Sequence, residues 1–480
     1  MRPFIVLVLA AAAGLSALDE DEARHLLART GFGASPEALT ALLPLTRAQA
    51  VEAVIYTSRC SPVLLPPDWC RPTLADAWQT RQKEWKDSEY LAPELRQKRQ
   101  DELRAKDYRQ GSDVKAWWYS EMIATTSPLT ERMVLFWHNH FTSQLAVVGD
   151  PRLMWEQNDL LRRHALGNFA HLALAIPFDA AMFKYLDSDS NVAAHPNENF
   201  AREVMELFTV GEGNYAEEDI KEAARAFSGY KLNDQAVPQL DQRRHDFGRK
   251  NVLGHQGVFD AKSILEILLT REKNVALNVA GKLWKEFISD TIDEKGVYEV
   301  AAAFYRSRYE ITAAMRALLL RDEFWAEANR GELVKSPVEL LVGFCRQQAI
   351  PVADRAALMQ FGKRLGQDLF DPPNVKGWAG GRAWITTHGL LARCQVIDEL
   401  LAGRLQKGTD KPLPISVAPA IRPLVLASAV LPDPVILEAA RVIGAPGTAT
   451  GRQGLLLSKA PLNPCTTTDD MIREPVYNLK

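Results

Sequence analysis

The chain has 480 residues, 47% of them hydrophobic, and a formal charge of −3. That length and composition suffice to bury a sizeable core. The near balance of 57 basic against 60 acidic side chains argues against the broad positive footprint of a nucleic-acid-binding protein. The first element in chain order is MRPFIVLVLAAAAGLSALDEDE, with Arg2 ahead of an apolar run from Phe4 to Leu15 and the small residues Gly14, Ser16 and Ala17 behind it. This pattern predicts a secretory signal peptide over residues 1–17. The run is shorter than the roughly 20 residues that span a bilayer, and no later run compares with it. A secreted or periplasmic protein without a stable membrane span is therefore expected.

Helix starts then recur as a Ser before a Pro: Ser35 before Pro36, Ser127 before Pro128, and Ser336 before Pro337. Each sets an N-cap oxygen ahead of the residue suited to the first helical position, and Ser336 with Glu339 fits a capping box. Helical spacing is plain over 219–227, 274–288 and 310–325, and strand signals are sparse. The stretch ELRQKRQDELRAKDYR (94–109) mixes charge signs at helical spacing and reads as a solvated helix face. Periodicity breaks over 232–260, where Gly248, Gly254 and Gly257 supply turn chemistry, and the chain becomes Pro-punctuated after about residue 405. The expected fold is mainly α: a large helical domain over 18–404 with a short irregular or hairpin insertion, and a Pro-rich C-terminal appendage over 405–480. Of the five cysteines, Cys60 and Cys70 bracket a Pro-rich loop that a disulfide would close, leaving Cys345, Cys394 and Cys465.

Five segments, HLLARTGFGASPE (25–37), ERMVLFWHNHFT (131–142), NENFAREVMELFTVGEGNYAEEDIKEAARAFSGY (197–230), HDFGRKNVLG (245–254) and LGQDLFDPPNVKGWAGGRAWI (365–385), occur in order. Together they resemble the bacterial family catalogued as domain of unknown function 1800. The resemblance implies export and proximity to exported proteins similar to sulfatases and alkaline phosphatases, hence a sulfatase-like partner. It assigns no catalytic residue.

The residues themselves offer three groups of candidates. His138 and His140 form an HxH pair as metal ligands, provided the chain leaves the helix near Asn139. On a continuing helix they project about 160° apart and cannot share an ion; one is then a core histidine on a carbonyl and the other exposed. After His195 and Pro196 a helix carries a buried stripe of Phe200, Val204, Leu207 and Phe208, edged by Asn199, Glu203 and Glu206. Glu203 and Glu206 are acid, base or ligand candidates, or structural partners of Arg225, Arg132 or another helix cation. His245 and Asp246 bring an imidazole and a carboxylate on a Gly-rich loop. The donors suit a divalent ion such as Zn²⁺, Mn²⁺ or Fe²⁺. Trp378, Arg382 and Trp384, in DPPNVKGWAGGRAWITTHG, offer stacking surfaces and an anion-binding guanidinium, or else pack over a helix end. Two functions follow: a metal-assisted or acid/base enzyme acting on an extracellular polymer or its anionic substituents, or a noncatalytic glycan- or protein-binding assembly factor.

Overall fold

The computed structural model describes residues 16–348 and 355–401. The apolar leader up to residue 15, the appendage expected over 405–480 and Cys465 lie outside the described residues. Within them the protein is mainly α, with only two small antiparallel ribbons. No described helix is long and apolar enough to cross a membrane.

Local chemistry explains where most helices begin. The Ser35 hydroxyl accepts from the Ala38 amide at 3.3 Å. Ser336 and Glu339 complete their capping box, with the Glu339 amide donating to Ser336 Oγ at 3.2 Å and the Ser336 amide to Glu339 Oε2 at 2.8 Å. Ser127 departs from expectation: it makes no cap bond, because its hydroxyl accepts from the Arg59 amide at 2.8 Å and pairs with Thr130 Oγ1 at 2.7 Å. It ties a preceding loop to the helix instead. The pattern over 310–325 forms two helices, Ile311–Leu319 and Asp322–Trp325, rather than one.

The helix Pro128–His140 lies at the centre, with Met133, Val134 and Trp137 fully buried. It packs on Pro151–Arg163 and on the second half of the long helix Pro93–Ala124. Beneath this packing Glu131 and Arg162, each 1% exposed, form a two-pronged pair at 2.5 and 2.9 Å, and the Trp118 indole donates to the same carboxylate at 2.9 Å. The first half of Pro93–Ala124 runs out along Leu74–Glu89 as a charged hairpin, held by pairs such as Lys106 with Glu84 at 2.8 Å. This is the solvated face expected over 94–109.

The irregular stretch contains the two ribbons. Tyr230–Leu232 pairs with Pro238–Leu240, and Lys250–Val252 with His255–Gly257. The second turns through Leu253 and Gly254, both at positive φ (50° and 84°), the geometry of a two-residue hairpin loop matched to strand twist. Cys70 ends a short turn as a buried free thiol whose ionisation burial pushes up to about 12, so the expected Cys60–Cys70 bridge is not formed.

Candidate functional site

The helix carrying His138 and His140 continues through His140, so the two imidazoles diverge and do not form a metal pair. Both are buried. His138 sits among the rings of Trp118, Phe370 and Trp378, with centroids 5.4 to 5.7 Å away, and its Nε2 has no hydrogen-bond partner among the described residues. Burial lowers its pKa to about 3, leaving the ring neutral. His140 Nε2 donates to the Phe208 carbonyl at 3.1 Å, and its Nδ1 accepts from Lys282 Nζ at 3.0 Å. Burial, then the nearby Lys282 charge, hold it well below the usual imidazole range. Both ring nitrogens of His140 are thus engaged, which leaves no lone pair for a cation. No group of three or more His, Cys, Asp or Glu side chains among the described residues is placed to hold a metal ion.

His140 binds a segment that no helical wheel anticipates. The α-helix Glu198–Glu203 loosens into a π-turn over Val204–Phe208. Its end leaves carbonyls that require donors. Lys282 serves Leu207 at 2.7 Å, His140 serves Phe208, and Asn278 serves Thr209 at 2.8 Å. Desolvation lowers the Lys282 pKa to about 8.

The turn sets Glu206 against the Tyr215 hydroxyl, which donates to it at 2.9 Å, and 3.6 Å from Lys376. Burial, reinforced by Glu206, raises the pKa of half-buried Glu203. Neither carboxylate pairs with Arg225 or Arg132. The expected Glu198–Arg202 pair is present at 3.1 Å, and Arg202 also reaches Glu217 at 2.8 Å.

His245 and Asp246 are held by the ribbon region. His245 Nδ1 lies 2.8 Å from the Ser228 carbonyl, and Asp246 accepts from Arg225 at 2.7 and 3.2 Å and from the Gly248 amide at 2.7 Å. The Arg225 guanidinium keeps the Asp246 carboxyl below its ordinary range. These contacts fix the loop and do not bring it to His140 as a shared site.

Trp378 is buried, and its peptide is clasped by Asn139: its amide donates to Asn139 Oδ1 at 2.7 Å, and Asn139 Nδ2 donates to its carbonyl at 3.3 Å. It packs instead of offering a stacking surface. Arg382 is exposed, and half-buried Trp384 ends the turn Gly381–Trp384.

Under that loop lies a cleft enclosing about 600 Å³ of empty space, part of it open to solvent. Its lining includes Arg29, Arg132, Asn139, Trp378, Gly381 and Trp384, drawn from three of the five motif segments. Its charged floor was not singled out in the sequence. Arg132 Nη2, nearly fully buried, lies 2.8 Å from Glu286 Oε1 and 2.9 Å from Glu339 Oε1. One guanidinium nitrogen therefore bridges two carboxylates. Desolvation raises the Glu286 pKa against the opposing pull of Arg132, with Glu339 adding to the rise. Exposed Lys285 and Asp290 stand at the rim. Glu339 had a complete local explanation as a capping residue. The available signal for Glu286 was its place in the four-residue series Asn278, Lys282, Glu286 on one helix.

A family model described as "Protein of unknown function (DUF1800)" matches residues 25–469. The chain belongs to the DUF1800 family. No curated protein and no solved structure matches it. In this DUF1800 chain the motif asparagine, Asn139, lies between the two motif histidines and fixes the Trp378 loop over the cleft.

Proposed function

We propose that the cleft beneath residues 377–384 is an acid/base site acting on an exported polymer or its substituents. The observation that supports this most is the pair of carboxylates, Glu286 and Glu339, bridged by buried Arg132 on the floor of a cleft lined in part by motif segments. Glu286 is the group that donates the proton: desolvation favours its neutral form, and Arg132 stabilises the carboxylate left after transfer. Glu339, anchored through Oε2 to the Ser336 amide, orients Arg132 and hence Glu286. Export, as the leader pattern suggests, would place this chemistry among extracellular substrates, beside sulfatase-like proteins.

The experiment is turnover of a panel of extracellular polysaccharides and their sulfated forms by the mature protein. Glu286→Gln abolishes product release and leaves folding intact. Turnover unchanged in that variant would end the reading. A second reading, a noncatalytic binding or assembly protein, is favoured by the internal contacts that absorb His140, His245, Asp246 and Trp378. It predicts binding without turnover by the same panel.

A further inference from the structure

Away from the Glu286 cleft, three open clefts follow one another along the helix Leu74–Glu89, enclosing about 910, 850 and 1020 Å³ of empty space. Their continuity is visible in shared residues. Trp78 lines the first and second, and Arg81 with Asp107 lines the second and third. None of the three shares a lining residue with the Glu286 cleft.

Each cleft contains an aromatic side chain: Trp78 in the first, Trp69 and Trp78 in the second, Trp85 and Tyr108 in the third. Trp78 and Trp85 are seven residues apart on one helix, so they share a face at a rise of about 10 Å. Cations lie over both rings, Lys184 at 5.5 Å from the Trp78 centroid and Arg81 at 5.9 Å from that of Trp85.

We infer that these clefts form one extended groove for a polyhydroxylated chain, a glycan, bound with its sugar rings against the aromatic side chains. The apolar faces of sugar rings suit the indole and phenol surfaces. Ring oxygens and hydroxyls suit the guanidinium, ammonium and carboxylate groups between them. A polyanion such as nucleic acid fits worse, because Asp107, Asp187 and Asp189 interleave with the cations. An apolar peptide fits worse because charged groups separate the aromatic platforms.

The test is affinity electrophoresis of the full chain through gels containing hydroxyethyl cellulose, dextran or polygalacturonate. At least one of the three retards the protein. Tyr108 is 72% exposed, so Tyr108→Ala leaves the fold intact and weakens that retardation about tenfold. Trp85→Ala, which removes a second ring from the groove, also weakens it, while Glu286→Gln leaves it unchanged. Free migration in all three gels, or equal retardation of wild type and both groove variants, would overturn the inference. The Glu286 reading would be untouched by that result, since the surfaces are separate.

Discussion

Lys282 is bonded to His140, a neutral imidazole, and to no carboxylate among the described residues: its Nζ lies 3.0 Å from Nδ1 of that ring and 2.7 Å from the Leu207 carbonyl. The ammonium closes the end of the π-turn, and the imidazole completes the closure one carbonyl further on. Lys282→Met removes the donor while keeping the stem. The half-buried Leu207 carbonyl then loses its partner, and unfolding in urea should show a loss of about 1–3 kcal/mol.

The same pair has a pH signature. Because Lys282 has a folded-state pKa of about 8, below its ordinary value of 10.5, the unfolded chain binds the extra proton between those values. Stability from this group therefore rises as pH increases through that window. Lys282→Met should flatten that alkaline rise in urea midpoints measured from pH 7.5 to 10.

Acid acts through the two histidines. His138 titrates near 3 when folded against 6.5 when unfolded, and His140 is displaced in the same direction. Their contribution is complete above pH 6.5 and is lost as pH falls toward the folded values, at about 1.4 kcal/mol per pH unit for each proton. His138→Phe should remove its part of this acid limb. It should cost no more than about 1 kcal/mol at pH 7, since the replaced Nε2 has no partner to lose among the described residues.

The Glu131–Arg162 pair predicts an asymmetry. Glu131→Gln leaves a guanidinium uncompensated in the core and should cost about 3–5 kcal/mol, whereas Glu131→Leu with Arg162→Met recovers much of the loss. A double-mutant cycle in denaturant checks this. Equal losses in the single and double variants would contradict it.

Gly377 tests the clasp over the cleft. It has φ of +78°, and a Cβ there would collide with Asn139 Oδ1. Gly377→Ala should cost about 1–3 kcal/mol through backbone strain and displace the Trp378–Trp384 loop, seen as a change in tryptophan emission. Asn139→Ala should reproduce the emission change.

The caps at Ser35 and Ser336, the charged helix face over 94–109 and the presence of a hairpin within 232–260 were legible because each is written in neighbouring residues. The HxH pair was half legible: helical spacing showed that the rings would diverge, but it could not show that both are buried. The site was harder. Arg132, Glu286 and Glu339 meet from three helices far apart in sequence, and local readings were already available for Glu339. The π-turn was hidden because a wheel drawn at 100° per residue assumes the regularity that Val204–Phe208 abandons. Cys70 misled because loop length says that a bridge can close, not that the thiol points toward its partner.

Asn278, Lys282 and Glu286 occupy successive turns of the helix Glu272–Phe287. The first two hold the π-turn, and the third reaches Arg132 in the cleft. This helix acts as a ruler with fixed graduations. One residue inserted between Lys282 and Glu286 would turn everything beyond it by about 100° and advance it by about 1.5 Å. Either the carbonyls or the guanidinium would then be met, but not both. That stretch therefore tolerates exchange of side chains at its outward positions far better than any change in its length.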